Sequence, residues 1–168
     1  MSSAARVVLV ALILLGLYLV VAGSASLTDI VLGAAAALAT SALLSHVVVK
    51  DVGKLLQLRR LYSLVKYFIH YITVIELRAH LDVIKRALHP GMPIRPGIVA
   101  SPYHVATDYA LVTITNSITN TPGTVVVDVD REGRKVFIHW IDVKVLDEAG
   151  CYEMIVKRFE GYAKSIFE

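Results

Sequence analysis

Residues 116–143 read NSITNTPGTVVVDVDREGRKVFIHWIDV, and this stretch decides the fold of the polar part of the chain. The segments TVVVDV and KVFIHWIDV are rich in β-branched and aromatic residues, and the turn-forming segment DREGR separates them. We therefore expect two strands joined as a hairpin. Pro122 and Gly123 fit the central positions of a type II turn, because proline presets φ and glycine accepts the positive φ that follows. The turn is expected to connect a helix to a strand, with a contact to a partner protein as the alternative.

The segments on either side of this hairpin complete a small α+β unit. Residues 98–105 are predicted to form an edge strand, since Pro102 cannot donate to a sheet ladder. Thr107 or Asp108 can cap a helix that runs to about Ile118. After Asp147, apolar residues mark one face of a closing helix: Cys151, Met154, Ile155, Phe159, Tyr162, Ile166 and Phe167. The order β-α-β-β-α predicts a two-layer α+β domain over residues 91–168.

Residues 59–90 are predicted to form an amphipathic helix, because apolar residues recur there at three- and four-residue spacing. The uncharged stretch in its middle, residues 67–75, is too short to cross a membrane. We expect the helix to lie in the membrane interface. A third membrane span, with Lys66 reaching toward the headgroups and Glu76 near the far end, is the alternative. The proline- and glycine-rich linker HPGMPIRPG, residues 89–97, ends the helix.

The first part of the chain, residues 1–58, is predicted to be a transmembrane helical hairpin. Residues 7–28 and residues 30–49 contain no Asp, Glu, Lys or Arg. Each stretch is close to the roughly 20 residues that span a hydrocarbon core. A cleaved signal peptide ending at AGSAS is the alternative, but the second apolar stretch follows within a few residues.

Basic residues predict the orientation of this hairpin. Its connection, GSASLTD, has no Lys or Arg, whereas Arg6 precedes the first span and Lys50, Lys54, Arg59 and Arg60 follow the second. The positive-inside rule then places both ends of the hairpin in the cytoplasm. With an interfacial helix after the hairpin, the C-terminal domain is cytoplasmic too, and the chain is a multi-pass protein of the cytoplasmic membrane.

Small residues in the second span predict close helix packing. Gly33, Ala37 and Ser41 are four residues apart and share one side of a helix. In lipid, such residues let helix backbones approach each other closely. They serve either packing against the first span or docking onto other subunits.

Charge is distributed unevenly along the chain, whose net charge is +3. Residues 51–90 carry seven Lys or Arg and three Asp or Glu, while residues 91–168 carry eight and ten. The basic belt therefore lies beside the spans, where it suits anionic lipid headgroups. A nucleic-acid partner is excluded, because that function needs a basic stripe on the folded domain.

No arrangement of residues predicts catalysis, a metal site or a cofactor. The single cysteine, Cys151, excludes an internal disulfide and a cysteine-based zinc site built by this chain alone. Alternate strand residues share a face, so Asp128 and Asp130 are expected to lie with Val126, and His139 away from Asp142. The chain has no charged relay in its apolar spans, so by itself it is not expected to conduct ions.

Three segments carry a resemblance to a known family: RPGIVA at 95–100, ATDYALVTITNSITNTPGTVVVDVD at 106–130 and VFIHWIDV at 136–143. They resemble the E subunit of the Mrp-type multisubunit Na⁺/H⁺ antiporters. They look equally like the corresponding small subunit of archaeal membrane-bound hydrogenase and sulfane sulfur reductase complexes. One departure is Asn120, where an apolar residue is expected. The motif residues expected at structural or interface positions are Asn116, Thr119, Pro122, Gly123, Thr124, Asp128, His139 and Trp140.

The resemblance implies a non-catalytic structural and assembly subunit of a cation/proton antiporter module in the cytoplasmic membrane. Its partners would be other membrane subunits and the lipid bilayer, with no cofactor. The archaeal resemblance extends this expectation to a membrane-bound respiratory complex. A membrane-tethered module that recruits a soluble partner outside any transporter is the alternative.

Overall fold

The computed structural model describes residues 3–49, 53 and 57–168. The chain forms two compact units, Met1–Leu56 and Gln57–Glu168. Lys50 and Lys54, two of the basic residues behind the predicted orientation, lie outside the described residues.

The first unit contains two apolar helices, α1 (Ser3–Ala22) and α2 (Leu27–Val48). Gly23, at φ 64°, lets the chain turn between them. The Ser26 hydroxyl caps α2 by accepting a hydrogen bond from the Asp29 N–H, at 3.2 Å. By length and composition both helices are sufficient to cross a membrane. The prediction of two apolar N-terminal helices is confirmed.

The second unit begins with a long helix, residues 58–88. It comprises α3 (Leu58–His70), a π-helical segment (Tyr71–Glu76) and α4 (Leu77–Leu88). Three side chains of this helix pack in the core of the following domain, and these residues, Tyr67, Tyr71 and Ile75, are four positions apart. An α-helix has 3.6 residues per turn, so side chains at this spacing drift around its axis. The wider π turn offsets that drift and keeps the three side chains on one side.

The rest of the second unit is a small α/β domain. Its elements are β1 (Gly97–Pro102), α5 (Asp108–Asn120), β2 (Thr124–Asp130), β3 (Lys135–Trp140), α6 (Glu148–Cys151), a second π-helical segment (Tyr152–Val156) and α7 (Lys157–Phe167). The sheet has the order β1-β3-β2, and both pairs are antiparallel. The expected three strands and their hairpin are therefore present, although the first strand ends at Pro102 rather than Val105.

The core lies between one face of the sheet and the helices. Val99, Val136 and Ile138 supply the sheet side of this core. The helices supply Ala110, Ile114, Ile118, Val156, Phe159 and Ala163. Ile98 and Val125 on the other face of the sheet remain exposed. The domain thus consists of one helical layer on one side of a three-stranded sheet.

A β-bulge corrects the predicted faces of β2. The register shifts between Val126 and Asp128, so that Val127 is the extra residue. Val126 and Val129 both pack against the core, although strict alternation would put them on opposite faces. Asp128 is exposed. The prediction that Asp128 shares a face with Val126 is wrong, because an inserted residue reverses the alternation that follows it.

Candidate functional site

A shallow cleft lies between α5 and the bulged part of β2. Its volume is about 420 Å³, and its lining residues are Thr115, Asn116, Thr119, Val126, Val127, Asp128 and Val129. We call it the motif cleft, because Asn116, Thr119 and Asp128 belong to the motif on which the family resemblance rests. The fold thus brings motif residues from a helix and from an edge strand to one surface.

Motif side chains bind the backbone around the bulge. The Thr119 hydroxyl accepts a hydrogen bond from the Val126 N–H at 3.2 Å. The Asp128 carboxylate accepts one from the Val129 N–H at 2.8 Å. β2 is an edge strand, so the N–H groups on its outer side have no neighbouring strand, and these two side chains accept hydrogen bonds from two of them. The amide of Asn116 is exposed and forms no hydrogen bond to any residue that the structure describes, which leaves it free to bind a partner.

The turn between α5 and β2 has the geometry that its sequence requires. The Thr124 N–H donates to the Thr121 carbonyl at 3.3 Å, with Pro122 and Gly123 between them. Gly123 has φ 94°, a conformation that other residues rarely adopt. The Thr124 hydroxyl also donates to the Ile118 carbonyl at 2.7 Å, which ties the end of α5 to the start of β2.

His139 and Trp140 lie on β3, outside the motif cleft. His139 is paired with Ile98 on one side and Val125 on the other. Trp140 is half-buried and packs against the core. Within the described residues, no three His, Cys, Asp or Glu side chains are grouped so that they could hold a metal ion.

A cluster that sequence reasoning missed surrounds Asp142, a buried residue after β3. Its carboxylate lies 3.0 Å from Arg86 Nη2 at the end of the long helix and accepts a hydrogen bond from Arg95 Nε at 3.0 Å. Arg86 also donates to the Pro93 carbonyl at 2.7 Å. The hydrogen bond from Arg95, together with the charge of Arg86, holds the pKa of Asp142 below its usual value.

Glu160 on α7 is a second charged residue that sequence reasoning did not identify, and only 1% of its surface is exposed. Its carboxylate accepts hydrogen bonds from the His104 N–H at 2.9 Å and from Lys164 Nζ at 2.5 Å. Burial raises the pKa of Glu160, but these two hydrogen bonds outweigh burial and hold the pKa below its usual value. Glu160 lies beside Phe159 and three residues before Ala163 on the buried side of α7, and that spacing was the available sequence signal.

The predicted small residues of α2 face α1. A side chain at Gly33 would collide with the Tyr18 ring, since a Cβ there would lie 2.5 Å from Tyr18 Cδ1. Ala37 and Ser41 are buried. The Ser41 hydroxyl donates to the Val7 carbonyl at 2.6 Å. In this structure the small side of α2 therefore serves packing within the helical hairpin.

Comparisons with known proteins match most of this chain to subunits of Na⁺/H⁺ antiporters. A family model described as "Na+/H+ ion antiporter subunit" matches residues 11–166. The E subunit of a Na⁺/H⁺ antiporter from Alkalihalophilus pseudofirmus is 38% identical over 86 residues, which cover 51% of this chain and 54% of that protein. The E1 subunit from Staphylococcus saprophyticus is 31% identical over 142 residues, which cover 84% and 85%. The match to several other relatives, including the one from Alkalihalophilus pseudofirmus, covers only about half of their length.

A solved structure is similar over nearly the whole chain. It is a chain in the structure of the membrane-bound sulfane sulfur reductase, described as an archaeal respiratory membrane complex. The two chains superpose with a TM-score of 0.82 at 32% sequence identity. The match covers 96% of this chain and 99% of the other.

Proposed function

Because this chain belongs to the family of Na⁺/H⁺ ion antiporter subunits, we propose that it is a non-catalytic assembly subunit of a multisubunit cation/proton antiporter module. The relationship that the motifs indicated is confirmed by the family match and by the E-subunit relatives. The match over residues 11–166 carries the proposal, because it includes most of the apolar hairpin and nearly all of the domain. The module is either a separate antiporter or a part of an archaeal membrane-bound respiratory complex.

The proposed partners are other membrane subunits of the same module. Support comes from the similar chain that was solved within a multisubunit respiratory complex. The motif cleft is the proposed contact surface, because it exposes the Asn116 amide and the Val127 side chain beside an edge strand. An exposed edge with apolar and polar groups suits an extended or helical segment of a neighbouring subunit.

A supporting rather than ion-conducting role follows from the composition of the apolar helices. Residues 7–28 and 30–49 contain no Asp, Glu, Lys or Arg. Ion and proton routes through membranes depend on charged side chains that face the interior of a helix bundle. The chain thus contributes attachment, and its domain lies on the cytoplasmic side, in line with Arg6, Arg59 and Arg60 at that end of the hairpin.

Co-purification with a matched pair of variants tests this function. The tagged wild-type chain, extracted in mild detergent, should bring several polytopic membrane proteins with it, and its deletion should abolish Na⁺/H⁺ exchange by membrane vesicles. Asn116→Trp fills the motif cleft and should remove the partners. Asn120→Trp changes another exposed asparagine of α5, one that does not line the cleft, and this variant should keep the partners.

The contrary outcomes of these experiments exclude different parts of the proposal. Normal exchange in the absence of the chain would exclude the subunit function. Equal recovery of partners by Asn116→Trp and Asn120→Trp would exclude the motif cleft as the contact surface but leave the subunit function intact. Recovery of one soluble protein alone would favour the membrane-tethered binding module.

A further inference from the structure

Both ends of the long helix, residues 58–88, are fastened to the domain that follows it. Near its start, Arg60 Nη1 donates to the Ile166 carbonyl at 2.7 Å. Near its end, Arg86 Nη2 lies 3.0 Å from the Asp142 carboxylate. These contacts are 26 residues apart along the helix, or about 39 Å at the α-helical rise.

The middle of the helix is fastened as well. The Tyr67 hydroxyl forms a hydrogen bond with the Ser117 hydroxyl on α5. Tyr67 and Ile75 are buried in the core of the domain. A helix docked along its length could cross the bilayer only by drawing this charged domain into hydrocarbon, where charged groups are costly. The docking therefore argues against the third membrane span that the sequence left open.

The sides of the helix that do not meet the domain carry an uncovered apolar stripe. Its members are between 45% and 79% exposed and extend from the first turn to the last: Leu61, Leu64, Val65, Phe68, Ile69, Ile72, Leu77, Leu81, Ile84 and Leu88. A soluble protein rarely leaves a contiguous apolar surface of this extent uncovered.

A row of basic side chains accompanies the stripe. Arg59 and Lys66 are seven residues apart, as are Arg78 and Lys85, and seven residues are close to two helical turns. All four side chains are exposed, and none forms an ion pair with a residue in the described ranges 3–49, 53 and 57–168. The row is complementary to a surface of negative charge.

The length of the connecting chain allows the helix to reach a bilayer surface. Nine residues, 49–57, separate the end of α2 from the start of α3. An extended segment of that length reaches at most about 30 Å. Since α2 is a candidate membrane span, a connection of this length allows the start of α3 to reach a membrane surface.

We propose that residues 58–88 form a lipid-binding helix that lies flat on the membrane surface. The apolar stripe inserts among the acyl chains, and Arg59, Lys66, Arg78 and Lys85 bind the phosphates of anionic headgroups. A helix with an apolar face and a lysine- and arginine-rich polar face binds membranes in this manner. The surface is separate from the motif cleft, so its function does not depend on the partner contact proposed above.

Depth measurements on the full chain in phosphatidylglycerol-containing nanodiscs test the orientation. Spin labels are attached to the single variants Val65→Cys, Ile69→Cys and Ile84→Cys. The unsubstituted chain is the blank, and it should take up little label because its native Cys151 is fully buried. The labels should be accessible to oxygen and lie at one shallow depth, about 5–10 Å below the headgroups. Leu146→Cys, at a position 82% exposed outside the helix, should be accessible to a water-soluble nickel complex.

Two results would overturn the orientation. A depth that changes steadily from position 65 to position 84 would mean that the helix crosses the bilayer. Labels that all reach the nickel complex would mean that the stripe faces water. The same labels in the co-purified complex must keep their oxygen accessibility, since its loss on assembly would assign the stripe to a partner subunit instead of lipid.

Lipid selectivity tests the basic row. Spin-labelled phosphatidylglycerol should associate with the full chain in preference to phosphatidylcholine. The double variant Arg78→Gln/Lys85→Gln should lower that preference by about twofold or more. The matched pair Arg131→Gln/Lys144→Gln removes the same two residue types from exposed positions of the domain and should leave it unchanged. Equal effects of the two pairs would refute a headgroup site on the helix.

Discussion

Glu160 shows how one residue can be both buried and charged. Burial of an unpaired carboxylate is costly, because its hydration is lost. Here the His104 N–H and the Lys164 ammonium bind the two carboxylate oxygens, and together they outweigh the loss of water. The result is a carboxylate that fastens α7 to the chain segment after β1.

This arrangement predicts an acid-sensitive fold. The folded-state pKa of Glu160 lies below the ordinary glutamate value of 4.5, so the folded state binds its proton less readily than the unfolded state does. Its contribution to stability is complete above about pH 4.5 and is lost as the pH falls through the lower folded pKa. Thermal unfolding of the full chain in detergent, followed by Trp140 fluorescence from pH 7 to pH 3, should show that loss.

Two glutamine variants test whether Glu160 causes the loss of stability at low pH. Glu160→Gln should unfold at lower temperature at pH 7 and should show a flatter decline below pH 5. Glu153→Gln removes an exposed partner of Lys157 and should follow the wild-type curve, because exposed pairs contribute little. An unchanged acid decline in Glu160→Gln would show that other carboxylates control it.

At the scale of elements, two helix contacts depend on residue size and spacing. α2 approaches α1 through Gly33, Ala37 and Ser41, where the absence of large side chains permits close contact. The long helix packs into the core of the domain through apolar and aromatic side chains four residues apart, and its π-helical segment keeps them aligned. In both cases one side of the helix packs against another element of the same chain, and the other sides are exposed.

A substitution that enlarges the small side of α2 should weaken the helical hairpin. Ser41→Val adds bulk at a fully buried position and removes the hydrogen bond to the Val7 carbonyl. We expect a destabilisation of about 1–3 kcal/mol. The control Thr40→Val makes a similar chemical change at an exposed neighbour and should cost less than about 0.5 kcal/mol.

Energy transfer between dyes at the open ends of α1 and α2 measures this effect during titration with dodecyl sulfate. The titration midpoint should fall for Ser41→Val and stay constant for Thr40→Val. A common midpoint for the two variants would mean that the hydroxyl and the tight fit at Ser41 do not hold the helices together.

At the scale of the whole molecule, Asp142 joins three parts of the second unit. Its carboxylate contacts Arg86 of the long helix and Arg95 of the linker, and Asp142 itself lies two residues after the central strand. Removing one partner of a buried ion pair is costly, because the remaining charge is left without compensation. Asp142 thus couples the long helix to the sheet.

Alkylation of Cys151 reports opening of this unit, because the thiol is fully buried and burial raises its pKa. Asp142→Asn should accelerate labelling by roughly tenfold or more, since opening of the core becomes easier. Asp82→Asn removes the other, exposed carboxylate partner of Arg86 and should accelerate labelling by less than about threefold. Similar rates for the two variants would contradict a coupling role for Asp142.

The sequence by itself determined the features that depend on neighbouring residues. The apolar lengths of α1 and α2, the β2–β3 hairpin and the turn at Pro122 and Gly123 follow from hydropathy, strand propensity and backbone preference. The family relationship also follows from the order of the motif residues. These properties are local, so a short window of sequence contains the physical information that they require.

Only the tertiary structure decided which surfaces meet. The bulge at Val127 reversed the expected face of Asp128, and the pairing of Asp142 with Arg86 joined residues more than fifty positions apart. The hydrogen bond between the Tyr67 and Ser117 hydroxyls helps to determine which side of the long helix is buried. Each choice depends on the combined packing of several elements, in which contacts of similar small energy compete, and no single segment contains the partners whose fit decides the outcome.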